Sequence, residues 1–235
     1  MNTSRDDILD AALRIVPFEG WTDRTLTQAV ARAGLPDGSA ELFFPDGVLG
    51  LIRHWNARTV AHLEAEIATR GFDNLGITAR IREAVLIALE AIGPNTTAMR
   101  RALSRLALPD AVGQGPRQLW ALSDAIWAAI GDTSTDFNFY SKRAVLSGVL
   151  ASTTIAWLED TDPDKASARA HLDRRLANVM QFEKAKAKIR TVTDRLPNPA
   201  ELLGRLRYAS TGFDPTGPLT AFRSPSTKSR RRRSR

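Results

Sequence analysis

The chain has 235 residues with no cysteine, 43% apolar and 25% charged residues, and a formal net charge of +7. The lack of cysteine excludes disulfides and thiolate metal sites, and no apolar run reaches the ~20 residues needed to span a bilayer. Charge is segregated: residues 184–235 hold 14 basic against 3 acidic side chains, a net of +11, and residues 1–183 hold 19 against 23, a net of −4, so the high pI belongs to the tail.

The start, Met1–Asp7, is polar and acidic. It has no secretory apolar core and no Arg-rich transit composition, so a cytoplasmic protein is expected. Strand patterning is nearly absent, and helical spacing predicts an all-α chain. The first helix is expected over Arg5–Pro17 with Ser4 as N-cap and Ile8, Leu9, Ala12, Leu13 and Val16 inward. Gly20 ends its turn and Trp21 can plug the junction. A second helix is predicted over Thr25–Ala33, broken by Gly34 and Pro36, then a short third over Gly38–Phe44 and a fourth over Asp46–Arg70. Further helices are predicted over Ile77–Ile92, Thr96–Leu106, Pro116–Gly131 and Phe137–Glu159. Ala144–Leu158 holds no charged residue, but its 15 residues suit a core helix better than a membrane span. Helix then continues over Asp164–Arg195 until Pro197 and Pro199. A short amphipathic piece, Ala200–Tyr208, precedes a Gly/Pro/Ser/Arg-rich end expected to be disordered. The boundaries are therefore 1–47 for a helix-turn-helix, 48–183 for a large helical region, 184–208 for a basic amphipathic segment and 209–235 for a basic tail.

Residues 8–47 resemble the N-terminal domain of TetR-type regulators: an Ile-Leu-Asp-Ala-Ala start, a glycine after the first helix, Thr-x-x-x-Ala-Val-Ala-x-Ala-Gly at 25–34, and an aromatic-Pro ending. Nearly all matching positions are apolar, glycine or proline, so they report packing. The segment that would enter a DNA groove, Leu35–Gly47, carries Asp37, Glu41 and Asp46 and no Lys or Arg. Phosphate contacts supply most of the affinity for DNA, so no specific nucleic-acid partner is expected. His54, His62 and His171 are too scattered for a metal site. No nucleophile–base grouping or phosphate loop appears, so neither catalytic residues, nor a metal, nor a cofactor are expected.

A more specific stretch runs from Leu119-Trp120-Ala121-Leu122-Ser123-Asp124-Ala125-Ile126-Trp127 through Asp132-Thr133-Ser134-Thr135-Asp136-Phe137-Asn138-Phe139-Tyr140-Ser141-Lys142-Arg143. It continues in Ala156–Asp160 and Leu172–Glu183. Asp132, Ser134 and Asp136 precede a helix, where their oxygens can cap free N–H groups. Phe137, Phe139 and Tyr140 cannot all share one helical face, so at least one should project outward. An exposed aromatic beside an acid has the composition of a binding hot spot; ordinary core aromatics are the other reading.

Over most of residues 5–190 this pattern resembles the bacterial form of the Coq nine family of ubiquinone-biosynthesis proteins. The resemblance implies a TetR-like helical bundle acting as a non-enzymatic, lipid-binding accessory protein. Such a protein binds an isoprenoid lipid or quinone precursor, associates peripherally with the inner membrane, presents its lipid to the pathway's di-iron hydroxylase, and acts as a homodimer. The alternative is a TetR-type ligand-responsive transcriptional regulator. Carried over by motif, the partner-binding candidates are Ile126, Trp127, Asp136, Phe139 and Tyr140. The implied cavity would have residues 81–92 and 144–158 as walls, with Leu86, Val145, Val149, Ile155 and Trp157 as lipid-binding candidates. The small residues Ser147, Gly148, Ala151 and Ser152 beside them suit either a cavity or close helix packing. In the tail, Ile189 and Val192 form one stripe among basic residues, and Leu202, Leu203 and Leu206 another. With five arginines in the last six residues, these are the candidates for contact with an anionic membrane surface. A packed bundle helix and a nonspecific basic tail able to touch RNA are the competing readings.

Overall fold

The computed structural model describes residues 2–135 and 137–193, with side chains over 4–135 and 138–181. The described residues are all-α, with no strand among them. The helices are α1 (Asn2–Glu19), α2 (Asp23–Arg32), α3 (Ser39–Phe43), α4 (Gly47–Arg70), α5 (Ile77–Glu90), α6 (Thr96–Leu106), α7 (Gln114–Ala129), α8 (Phe137–Glu159) and α9 (Ala166–Thr193). A 3-10 turn, Pro109–Ala111, precedes α7. Met1–Glu183 forms one compact unit and Lys184–Arg235 a second; of the second, the described residues are helical backbone at the end of α9. The amphipathic piece expected over 200–208 and the tail at 209–235 lie outside the described residues. The architecture is the TetR-like all-helical bundle anticipated from the pattern.

Most helix ends fall within a residue or two of expectation, and both ends of α1 differ. Ser4 does not cap α1, because the helix already begins at Asn2. Pro17 does not end it either: it sits in the last turn, and α1 runs on to Glu19. The first true cap is Thr22, whose hydroxyl accepts from the Thr25 N–H at 3.1 Å in front of α2.

Burial divides into two hydrophobic clusters. One gathers Ile8, Leu9, Val16, Trp21, Leu26 and Val30 from α1, α2 and their junction around Leu51, Ile52 and Trp55 of α4, with Ala98 and Ala102 of α6 closing it. The other packs Val85 and Leu89 of α5, Ile126 and Trp127 of α7, Leu146 and Leu150 of α8 and Leu172 of α9 against Leu63 and Ile67 of α4. The 24-residue α4 thus serves both cores. Its apolar positions 48, 51, 52 and 55 face one, and 63 and 67 face the other. Between them lie Asn56 and Thr59.

Trp21 ties the first cluster together. Its ring stacks on Trp55 at 5.7 Å between centroids, and its indole N–H donates to the Ala98 carbonyl at 2.9 Å. Replacing Trp21 by Phe keeps an aromatic ring but removes the buried bond that ties the junction to α6, leaving the Ala98 carbonyl only its helical partner. A loss of about 1–3 kcal/mol in urea unfolding is expected, with α-helical circular dichroism unchanged.

Candidate lipid cavity and partner surface

Where α4 passes from one core to the other, the bundle holds a cavity of about 390 Å³. Its walls come from five helices: Ile52, Trp55, Asn56 and Thr59 of α4, Ala88, Leu89 and Ile92 around the end of α5, Met99, Ala102, Leu103 and Leu106 of α6, Gln118, Leu119 and Leu122 of α7, and Leu150, Ala151, Thr154 and Ile155 of α8. The lining is overwhelmingly apolar. Helical periodicity explains the opening: α8 presents the small Ala151 and the short Thr154 one turn from Leu150 and Ile155, so facing side chains do not meet. Ile155 is 52% exposed and Leu103 is 40% exposed, so the cavity reaches solvent along an apolar lip.

Of the lipid-binding candidates named from sequence, only Ile155 lines this cavity. Val145 and Val149 line a separate crevice of about 190 Å³ with Ile77, Ile81, Trp127 and Val179. Leu86 and Trp157 are packed into the second core and line neither opening. Each points roughly a quarter-turn round its helix from the cavity-lining residues. The ring of Trp157 is occupied by cations, with Lys165 and Arg169 at 5.9 and 5.6 Å. The apolar runs at 81–92 and 144–158 told two of the five walls, but not which phase of each helix faces the cavity. Asn56, Thr59 and Gln118 were missed; polar residues set on an otherwise apolar stripe were their only signal.

At the α7–α8 corner the chemistry is ionic. Helix α7 closes with Gly131 in the left-handed region at φ +87°. The Gly131 N–H donates to the Ala128 carbonyl, and the Asp132 N–H to that of Trp127 at 2.9 Å, the paired bonds of a Schellman end. That turn delivers Asp132 onto the first turns of α8. The carboxylate accepts from Lys142 Nζ at 2.7 Å, from Ser134 Oγ at 2.8 Å and from Arg143 Nη1 at 3.4 Å. Arg143 is 3% exposed. Its Nε donates to Asp124 of α7 at 2.5 Å, its Nη1 to the Phe139 carbonyl at 3.2 Å, and its guanidinium lies 3.4 Å over the Phe139 ring. Burial alone would push the Asp132 carboxyl upward. The Lys142 and Ser134 hydrogen bonds, the Lys142 charge and Arg143 outweigh it and hold the group below the usual carboxylate range.

This network props up the aromatic surface. Phe139 meets Tyr140 edge-on at 5.1 Å, and Tyr140 faces Trp120 at 6.2 Å. Tyr140 is 61% exposed. Trp127 lies beneath, covered by Lys142 Nζ at 5.1 Å, and among the described residues its indole N–H has no hydrogen-bond partner. Ile126 corrects the expectation of a contact residue: it is wholly buried in the second core and presents no surface, because its side of α7 faces α5 and α8. Asp136 lies outside the described residues, and so do Leu202, Leu203 and Leu206; Ile189 and Val192 are described only as backbone of α9. The roles of Lys142 and Arg143 went unassigned from sequence, since a salt bridge across a turn leaves no periodic trace.

In the N-terminal region α3 is only five residues long, and Asp37, Glu41 and Asp46 are all exposed. Among the described residues no helix is long and apolar enough to cross a membrane.

The COQ9 family model matches residues 112–183, which span α7, α8 and the described side chains of α9. The chain is similar to a ubiquinone biosynthesis protein COQ9, mitochondrial, of Rattus norvegicus, with 31% identity over 198 residues, 80% of this chain and 62% of that protein. The Bos taurus protein of the same name is 31% identical over 195 residues, 80% of this chain and 61% of its own length. The Homo sapiens protein is 29% identical over 198 residues, again 80% and 61%. The chain therefore spans about three fifths of the length of these curated relatives.

Asp132→Ala would strand the buried Arg143 with one carboxylate fewer, and a loss of about 3 kcal/mol in denaturant unfolding is expected. The pH dependence has a defined sign. A carboxyl held low in the folded state contributes stability that is complete above its unfolded value near ~3.9 and is lost as pH falls through the lower folded value. Acid unfolding of Asp132→Ala should accordingly be shallower than that of the unaltered chain below about pH 4.

Proposed function

Because the chain belongs to the COQ9 family, we propose that it is a non-enzymatic accessory protein of ubiquinone biosynthesis. It takes the isoprenoid part of a quinone precursor into the cavity between α4 and α8 and presents it to the pathway's di-iron hydroxylase at the membrane surface. The observation that carries this reading is the cavity itself. An apolar space of about 390 Å³ bounded by five helices and open at Leu103 and Ile155 suits a chain of hydrocarbon. At ~30 Å³ per water-sized group it holds about a dozen such groups, or two to three isoprene units, so a longer chain would emerge over the apolar lip.

Tyr140, backed by Phe139 and the buried Arg143, is the anchor for the hydroxylase: a rigid exposed aromatic carries binding area at low entropic cost. Peripheral attachment is assigned to residues 184–235, whose net charge of +11 would be drawn to anionic lipid at about 1 kcal/mol per basic side chain near the surface. A homodimer is the expected assembly on the family resemblance. The alternative regulator reading draws no support from α3, since Asp37, Glu41 and Asp46 would meet a phosphate backbone with like charge.

Native mass spectrometry of the full chain after mild lysis is expected to show a bound isoprenoid lipid. Ala151→Phe, which puts a ring into the cavity, should remove it while the helical signal persists; a chain that purifies empty from cells containing quinone precursors would sink the proposal. Tyr140→Lys is expected to weaken capture of the hydroxylase at least tenfold, as for loss of a hot-spot aromatic, without shifting the thermal midpoint.

A further inference from the structure

Two residues of the cavity wall have a second neighbour. Asn56 and Gln118, which line the apolar cavity, also line an adjoining recess of about 470 Å³. Its other walls are Asp46, Leu49, Arg53, Gln114, Arg117 and Ala121. The two spaces differ in chemistry: the first is mostly apolar, whereas in the second Asp46, Arg53, Arg117 and three amide side chains stand beside Leu49 and Ala121. Asn56 Nδ2 donates to the Gln118 main-chain carbonyl at 3.3 Å and stitches α4 to α7 at the partition.

The recess has charge to spare. Arg53 is paired with Asp46 at 2.6 Å. Arg117 is exposed, and among the described residues it has neither an acidic partner nor a hydrogen bond from its guanidinium. With Asp46 cancelling Arg53, the recess is left with one net positive charge. At the partition itself, the Gln118 side-chain amide nitrogen is buried and makes no hydrogen bond among the described residues. A buried amide donor without an acceptor costs free energy that an acceptor oxygen placed at the partition would recover.

The geometry points to a single-chain amphiphile with an anionic head, a carboxylate or phosphate, as the ligand this pair of spaces takes. The hydrocarbon chain lies in the cavity, the head oxygens accept from the Gln118 amide once a side-chain rotation turns that buried nitrogen to the opening, and Arg117 neutralises the charge in the recess. This deepens the lipid-binding reading and rests on it, adding which wall of the cavity reads the head and what charge the head carries. Arginine suits the task because its planar fork matches two oxygens of a carboxylate or phosphate at once. A neutral head would satisfy Gln118 and leave Arg117 unused.

The test compares a fluorescent polyene fatty acid with its methyl ester, titrated into the full chain at fixed salt. The acid is expected to bind on the order of tenfold more tightly, the range of one charge-assisted hydrogen bond. Arg117→Gln, a surface change, should bring the acid down to the affinity of the ester and leave the ester where it was. Ala151→Phe should weaken both. Equal binding of acid and ester by the unaltered chain, or an undiminished preference in Arg117→Gln, would overturn the anionic head while leaving the lipid cavity intact. No binding of either probe would overturn both. Inorganic phosphate in equal concentration is expected not to displace the acid; displacement would assign the recess to a free anion and overturn the amphiphile.

Discussion

The architecture hangs on α4 and on the demand that one helix serve two cores. A 24-residue helix is about 36 Å long, longer than either hydrophobic cluster needs. Its apolar residues group at positions 48–55 and 63–67. In the interval, Asn56 and Thr59 have polar ends that a dry, close-packed core would have to satisfy. Each is satisfied locally, Thr59 by donating back to the Trp55 carbonyl at 3.1 Å and Asn56 by donating to α7. Neither draws a large side chain in from the facing helices. The cavity is the space left where α4 stops being a core helix, and its polar partition follows from the same two residues.

A second constraint acts at the α7–α8 corner, where a guanidinium is buried. A buried arginine is tolerated only when its donors are matched, and here Asp124, Asp132 and the Phe139 carbonyl match them from three directions. The consequence is stiffness at the surface. Phe139 is clamped under Arg143, so Tyr140 on the next position is held out toward solvent with Trp120 against its side. The Schellman end at Gly131 is what brings Asp132 into range, and that links a backbone conformation in a turn to the presentation of an aromatic on the next helix.

Much of this was legible beforehand, and the reasons differ by feature. Every described helix was visible because apolar spacing is periodic and Gly and Pro punctuate it. Three aromatics in four positions cannot all turn inward, which told that one projects outward; Tyr140 itself was named by the motif. Ile126 was not recognised as core, since a motif transfers the name of a segment and not the phase of each residue on its helix. The same limit separates Ile155, which lines the cavity, from Trp157 two positions on, which does not. Gln118 left only a polar residue on an apolar stripe, and Arg117 nothing: their place at the partition depends on how α7 lies against α4, a relation between elements 60 residues apart that no local window contains.

The N-terminal helices are fastened to α4 largely by acidic side chains. Asp6 and Asp10, one turn apart on α1, pair with His54 and Arg58, one turn apart on α4, at 2.8 and 2.7 Å. Asp46 pairs with Arg53, and an Asp23 oxygen accepts from the Val48 N–H at the start of α4. These contacts lie near the surface and contribute little individually, but together they set the register of α1 and α2 on α4. We propose that the same pairs disfavour nucleic acid, because Arg53 and Arg58 already hold carboxylates that a phosphate backbone would have to displace. The N-terminal region is best understood as a brace for α4, which carries one wall of the cavity and one side of its polar partition.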